Sequence, residues 1–583
     1  MDNKSVLTKI SYVLDAYTKM RLGLVLVIIL IGGVAELVGV SIILPIINLA
    51  ISPADIASNR YCRVISEVIG SDEPKAIMVA LIIITCVVYV SKNIYLAWMN
   101  NVIYRFSTNV QRKMAVRLMK SYMRQPYSFF LKKNSSELIR SVSNDTASFQ
   151  QAVINSLYIL SNGVMCCFLL GYLVATNWKI TLLVLIVIIG CFLIVYLKVN
   201  RRMHRLGAES QKLSGYIIQA LQEAFHGVKE IKILKREDFF VKKYEKNYAK
   251  NAEINRKANL MSILPKYIIE TTVICSILVY LAVITMREGG YSSYLGQLSI
   301  FAVSAFKLLP AVNAIYAYVS TLIYQRASID LVYNDIREAD MLDSSDKKGG
   351  ELKEIRGTGD IRVDNVSFRY ENAEEDTLTN ESLLIRNGQS VGLMGKSGGG
   401  KTTTVDIILG LLKPQSGSVY VGEQDISEMY ASWLDHIGYI PQTIFLSDAT
   451  IRENIAFGIP LDEIEDEKVN NAINEAQLRE FVDSLPQGDM TEIGESGVRL
   501  SGGQRQRIGI ARALYNDPEV LILDEATSAL DNETEKAVME AIDHLHGSKT
   551  LIIIAHRLST IKNCDAIYEI KNGKAIGRES VDA

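Results

Sequence analysis

Two hydropathy regimes divide the chain near residue 325. Before that point, apolar runs about as long as the roughly 20 residues that cross a bilayer, or longer, recur at 22–50, 76–99, 153–176, 179–198, 263–286 and 295–323. Between the second and third runs lie nine Lys/Arg from Arg105 to Arg140, and between the fourth and fifth lie fifteen from Lys198 to Lys257. The other connections are short and carry few positive charges. The positive-inside rule therefore places both long basic segments, the N-terminus and everything after the sixth run on the cytoplasmic side. Proline is rare in the basic segments and apolar residues return every three or four positions, so the spans are expected to continue as helix beyond the bilayer. Residues 4–20 set Val6, Ile10, Val13, Leu14 and Tyr17 at helical spacing, the pattern of an amphipathic helix either along the membrane surface or simply solvated on one face. Tyr61, Val64, Ile65, Val68 and Ile69 predict a short amphipathic helix on the outer side, between Ser52 and Pro74.

After residue 325 the pattern changes. The polar stretch 326–359, with Gly349 and Gly350, reads as a linker. From Asp360, short β-rich runs at 361–370, 391–394 and 520–523 alternate with helical patterns, as in an α/β domain spanning 360–583. The expected architecture is an all-α polytopic membrane domain of six spans over 1–325, followed by this α/β domain.

Composition supports that division. A hydrophobic content of 49% and a mean hydropathy of +0.16 are high for a wholly soluble chain. A net charge of -2 gives no basic excess that would point to nucleic acid. Cys86, Cys166, Cys167, Cys191 and Cys275 lie within apolar runs, without disulfide or metal-ligand spacing. The first run exceeds the h-region of a signal peptide and no small-x-small cleavage site follows it. Charges inside the runs matter, since each costs about 2.5–3.5 kcal/mol at the bilayer centre unless paired or hydrated. Lys307 lies within the sixth run, ahead of Pro310. It reads either as a cation facing a polar path for an anionic substrate or as a partner of Glu36 or Glu270. Lys92 and Lys266 lie nearer cytoplasmic ends, where they can snorkel.

The chemistry is concentrated after residue 360. Gly395, Lys396, Ser397, Gly398, Gly399, Gly400, Lys401 and Thr402 spell a phosphate-binding P-loop. Its glycines let backbone N–H groups approach phosphates, Lys401 supplies charge to the β- and γ-phosphates, and Thr402 offers a hydroxyl to Mg²⁺. Ser390–Met394 reads as the strand feeding the loop and Thr403–Leu412 as the helix that follows, whose N-terminal dipole favours anions. A second apolar strand, 520–523, ends in Asp524, placed to hold the metal, and Glu525, placed to polarise water. Ser501, Gly502, Gly503 and Gln504 precede a helix bearing Arg505, Arg507 and Arg512, a further anion-binding helix end.

With Leu500, these four residues form LSGGQ, and the chain resembles the ABC transporter family over essentially its whole length. The resemblance implies a type I/type IV exporter fold whose α/β half is a P-loop NTPase. It further implies that Tyr370 stacks on adenine, that Thr403 lies beside the nucleotide, that Gln442 in YIPQT links Mg²⁺ and water to the membrane half, and that His556 senses the γ-phosphate. Asp531 falls in the loop exchanged between paired ATPase domains, and Thr491–Glu495 is similar to a stretch found in exporters. The segments Phe129–Asp145 and Gly227–Lys232 resemble the two intracellular loops that carry short helices. One ATPase domain per chain implies a half-transporter that uses ATP and Mg²⁺ and borrows Ser501 from a second copy. The stretches 227–240 and 305–315 resemble bacterial lipid-linked oligosaccharide flippases, with exporters of drugs, peptides or other lipids as the alternative. An ATP-gated channel or regulator is a further alternative, against which the complete catalytic set argues.

Overall fold

The computed structural model describes residues 5–42, 46, 67, 74–176, 178–287, 292–346, 359–371, 373–494, 497–525, 535–536, 539–540, 542, 545–555 and 558–578. The chain divides into two compact units, Met1–Gln125 with Phe129–Lys347, and Pro126–Ser128 with Lys348–Ala583.

The first unit is helical: α1 (Val6–Val13), α2 (Ala16–Ser41), α3 (Pro74–Met123), α4 (Tyr127–Lys132), α5 (Ser135–Arg140), α6 (Thr146–Thr176), α7 (Trp178–His226), α8 (Val228–Leu234), α9 (Glu237–Arg287) and α10 (Ser292–Asp346). The helices α3, α7, α9 and α10 run for 50, 49, 51 and 55 residues. At 1.5 Å per residue each exceeds about 70 Å, more than twice the hydrocarbon thickness. The helical continuation expected of the basic segments is therefore present. Among the described residues, three helical stretches are long and apolar enough to cross a membrane: Ala16–Ser41, Lys75–Met123 and Ser135–Ala175. The remaining expected runs fall within α7, α9 and α10. The short helices α4, α5 and α8 occupy the two intracellular-loop segments.

Several boundaries differ from the sequence expectations. The amphipathic pattern over 4–20 is cut by Asp15, whose carboxylate accepts the Thr18 N–H at 3.2 Å and starts α2 afresh. The apolar face of α1 is used within the protein: Ile10, Val13 and Leu14 are buried in one cluster with Ile329, Val332, Tyr333 and Ile336 of α10. Those four α10 residues recur at helical spacing, so 326–346 is not linker but part of a continuous helix that packs at these positions. The first span begins earlier than expected, at Ala16, and its described part ends at Ser41. The outer amphipathic segment lies almost wholly outside the described residues.

Among the described residues, the buried charges of this unit are paired. Lys92 does not snorkel; its ammonium lies 3.1 Å from Glu36 across α2 and α3 and 4.5 Å from the Tyr89 ring centroid. Gly39 makes room for its stem, since an added Cβ there would meet Lys92 Cδ at 3.1 Å. The Lys307 side chain lies outside the described residues. Arg140 and Asp145 pair at 3.1 Å across a π-helical turn, Ser141–Asp145. That wider turn aligns residues five apart, which an α-helix would point to different sides. Gln211 of α7 also donates to Asp145 at 3.3 Å.

The second unit contains two sheets. β1 (Ile361–Phe368), β2 (Leu378–Ile385), β4 (Ser416–Val421) and β5 (Gln424–Asp425) form an antiparallel sheet in the order β2-β1-β4-β5. β3 (Ser390–Met394), β6 (Ile437–Ile440), β7 (Val520–Asp524), β8 (Thr550–Ile554), β9 (Ala566–Lys571) and β10 (Lys574–Arg578) form the other, in the order β10-β9-β3-β8-β7-β6. It is parallel except at the β10-β9 edge. Alternation along β7 and β8 feeds two cores. Val520, Ile522, Ile552 and Ile554 join β1–β4 and the helix α11 (Lys401–Ile408), whereas Leu521, Leu523, Leu551 and Ile553 join a helical layer that includes α13 (Ile451–Ile455). Between these helices, the short helix α12 (Tyr430–Asp435) carries Trp433, which is fully buried in the first core and donates its indole N–H to Ile408 O at 2.8 Å. Trp433→Phe is expected to cost about 1–3 kcal/mol by leaving that carbonyl unmet, measurable as a lowered denaturation midpoint.

Candidate functional site

β3 delivers the chain into the loop, and three glycines there have backbone conformations that side chains resist: φ is 150° at Gly395, 78° at Gly398 and 108° at Gly400. An added Cβ would lie 2.4 Å from Ile570 O at Gly395 and 2.7 Å from Leu378 Cδ2 at Gly400. The loop is wrapped too closely for any other residue at those two positions. The helix after it starts at Lys401 rather than Thr403 and ends at Ile408. Its N-cap, Gly400, provides no side-chain hydrogen bond, so the first N–H groups are left facing the loop. Lys401 is buried and folded back on the loop, its ammonium donating to Gly395 O at 2.9 Å and Lys396 O at 3.1 Å. An ammonium has three protons, which leaves one for an anion in the cradle. Lys396, Ser397, Gly398 and Thr402 are exposed around it, with Gly399 half-buried.

The Tyr370 hydroxyl is 3.2 Å from that of Thr403, and its ring lies edge-on to Phe368 at 5.0 Å. The aromatic residue is thus carried beside the loop helix.

β7 ends at Asp524, which is buried and lies 3.4 Å from the Tyr439 hydroxyl. Burial and the Asp524 carboxylate together push Asp406, on α11, up to about 6. Glu525 follows with φ 48°, left-handed for a residue that has a Cβ, a conformation costing on the order of 1–3 kcal/mol. The fold holds it there through Glu525 N–H to Ile554 O at 3.1 Å. Gln442 donates from Nε2 to Glu525 Oε2 at 2.6 Å. Two residues expected to act together are in contact, and they come from segments 83 positions apart.

Ser501 caps α14 (Gly502–Leu514): its hydroxyl accepts the Gln504 N–H at 3.2 Å, while the Gln504 side chain accepts the Ser501 N–H at 2.9 Å. Gly503 packs inward beneath this cap. Among the described residues, no hydrogen bond joins Ser501–Gln504 to Gly395–Thr403. The helix belongs to the other core, where Ile508, Ile510 and Ala511 are buried. Sequence reasoning missed how it is held. Arg512 donates to Asn454 O and Phe445 O, each at 2.8 Å, and lies over the Phe457 ring at 4.4 Å. Asn454 is fully buried and carries no local motif that marks it. Tyr439 and Asp406 were missed for the same reason. His556 and Asp531 lie outside the described residues.

A cradle of glycines, an inward-held ammonium, an exposed hydroxyl and a buried carboxylate fit a magnesium-bound triphosphate. Fold and site together define a P-loop ATPase joined to a bundle of long apolar helices. Residues 22–309 match the ABC transporter transmembrane region and residues 378–528 the ABC transporter family. The ATP-dependent lipid A-core flippase of Cupriavidus metallidurans is 31% identical over 473 residues, covering 81% of this chain and 79% of that protein. The protein of the same name from Francisella novicida is 32% identical over 489 residues, with 82% and 78% covered. A solved bacterial Atm1-family ABC exporter with ATP bound has a TM-score of 0.75, covering 97% of this chain and 96% of that one, at 21% identity. That last likeness is one of fold. The chain belongs to the ABC transporter family; it is an integral membrane protein whose ATPase is coupled to transport.

Proposed function

We propose that this chain is a homodimeric half-transporter of six spans that flips an amphipathic, lipid-type substrate outward across a bacterial inner membrane, its ATPase domain lying in the cytoplasm. A lipid-linked oligosaccharide is the favoured substrate. The observation that carries the lipid class is the similarity, over four-fifths of the chain, to proteins named for flipping lipid A-core. The stretches 227–240 and 305–315 support the glycan-bearing subclass. Such a lipid needs a path for an anionic head as well as an apolar tail, and Lys307 is the candidate cation for it.

In the ATPase cycle, Tyr370 receives adenine, Gly395–Thr403 and Lys401 hold the phosphates, and Thr402, Gln442 and Asp524 hold Mg²⁺. When bound, the metal neutralises charge developing on the phosphates. Glu525 accepts the proton of the attacking water, with Gln442 fixing its carboxylate, and His556 answers the γ-phosphate. Ser501, Gly502, Gly503 and Gln504 of one copy close over the nucleotide of the other, with Asp531 in the loop exchanged between them. The self-contained cap on Ser501, in a core separate from the loop, supports this division of the site between two chains. Closure and reopening of the paired ATPase domains drive alternating access in the membrane halves.

The test is mass spectrometry of lipids retained by a Glu525→Gln dimer trapped with MgATP in native membranes. Enrichment of a polyprenyl-linked glycan is expected. Recovery of a drug, a peptide or only bulk phospholipid would overturn the substrate assignment.

A further inference from the structure

Beneath the phosphate loop lies an acid that the ATPase cycle above does not use. Glu381, on β2 opposite Val366 of β1, has no exposed surface. Its carboxyl oxygens lie 2.9 Å and 3.0 Å from the Thr404 hydroxyl of α11, itself buried, which in turn lies 3.0 Å from Gly400 O. Among the described residues Glu381 has no other side-chain partner. The charged groups on the elements packed against β2 are Arg362 and Asp364 on β1, Lys401 and Asp406 on α11, Lys574 and Arg578 on β10, and Glu569 and Lys571 on β9, whose Tyr568 hydroxyl donates to Leu384 O at 2.9 Å. None of them hydrogen-bonds to Glu381, and the Lys401 ammonium is engaged at Gly395 and Lys396.

The arrangement holds one hydroxyl proton and two acceptors, of which Gly400 O also takes the Thr404 backbone N–H at 2.8 Å, so the hydroxyl supplies its second bond. If Glu381 is ionised, the Thr404 proton must serve either the carboxylate or Gly400 O, and a buried charge is left with a single donor at best. A neutral acid satisfies every group: Glu381 O–H donates to Thr404 Oγ1, and Thr404 O–H donates to Gly400 O. Burial acts the same way, pushing the Glu381 acid up to about 7 against only the Thr404 hydroxyl. Gly400 is both the last loop glycine and the N-cap of α11, so a proton on Glu381 is felt where the phosphates are held.

We propose that Glu381 is a positioning residue of the nucleotide site: as a neutral acid it completes the chain Glu381–Thr404–Gly400, and its ionisation slackens the phosphate loop. The inference rests on assigning that loop to ATP. Its sign follows from the acid. Below about pH 7 the chain is intact; above it the carboxylate competes for the Thr404 proton.

The test uses the full-length protein in lipid nanodiscs, with MgATP as probe, between about pH 6 and about pH 9, a span that brackets the ionisation. In the wild type, KM for MgATP is expected to rise about 3–10-fold across that range, the scale of one weakened hydrogen bond. Glu381→Gln, whose amide still donates to Thr404, should hold a low and flat KM. Thr404→Val should show a raised and equally flat one, whereas Thr404→Ser keeps the wild-type profile. The two Thr404 variants decide the matter even if the Gln variant does not fold. Superimposable profiles for the wild type and Glu381→Gln, or for Thr404→Ser and Thr404→Val, would overturn the proposal. Infrared difference spectroscopy gives a readout independent of turnover. A neutral carboxyl band should be present in the wild type at low pH, fade on raising the pH through about 7 and be missing from Glu381→Gln. Loss of ATP binding with that band intact would count against the nucleotide assignment instead; absence of the band would count against Glu381.

Discussion

Glu525→Gln is expected to leave MgATP binding near its wild-type affinity while kcat falls at least about 100-fold, the lower bound for removing a general base. Glutamine has the same shape and keeps an oxygen that can accept the Gln442 amide, so the contact at 2.6 Å survives in geometry. It cannot take a proton from water. A left-handed, strained Glu525 is held by a bond to Ile554 O, and the fold thereby aims a carboxylate where β7 ends. Phosphate release measured beside equilibrium nucleotide binding separates the two effects. Turnover within a few-fold of wild type would remove Glu525 from the role of base.

Glu36→Ala is expected to destabilise the membrane unit by about 3–5 kcal/mol, the cost of stranding one member of a buried pair. The Lys92 side chain retains 4% exposure and that of Glu36 15%, and both lie on helices apolar enough to span a bilayer. With the carboxylate gone, the face of Tyr89 is what remains near the ammonium among the described residues. The double variant Glu36→Met with Lys92→Met removes both charges at similar volume, and it should recover most of the loss or exceed the wild type. Thermal unfolding in nanodiscs checks this. Equal losses in the single and double variants would show that packing, not charge, is what the pair contributes.

These two expectations differ in how much of them was visible before the fold. Glu525 was legible because it follows an apolar strand immediately, and a strand end is a local property. The resemblance implied only that Gln442 links Mg²⁺ and water to the membrane half; its contact with Glu525 was not legible, since the two segments meet through the β6–β7 pairing. Lys92 was misjudged because snorkelling depends on what surrounds the stem, and Glu36 lies 56 residues away on another helix. Glu381 carried a usable signal: it shares parity with the buried Leu383 and Ile385 on β2. A charged residue at an inward parity is usually discounted, and only its neighbour Thr404 makes the position tenable. The polar composition of 326–346 hid Ile329, Val332, Tyr333 and Ile336, whose spacing was helical throughout.

What the sequence alone determined are the properties written within a few turns or one strand. They are the apolar runs that become the long helices, the glycines of the phosphate loop, the helix start at Ser501 and the acids closing β7, each set by local backbone conformation and hydrophobic period. Tertiary structure decided the partners of charges and the state of protons. Whether Lys92 meets lipid or Glu36, and whether Glu381 meets water or a single hydroxyl, depends on segments far apart in the chain. Burial then makes those pairings costly to leave incomplete.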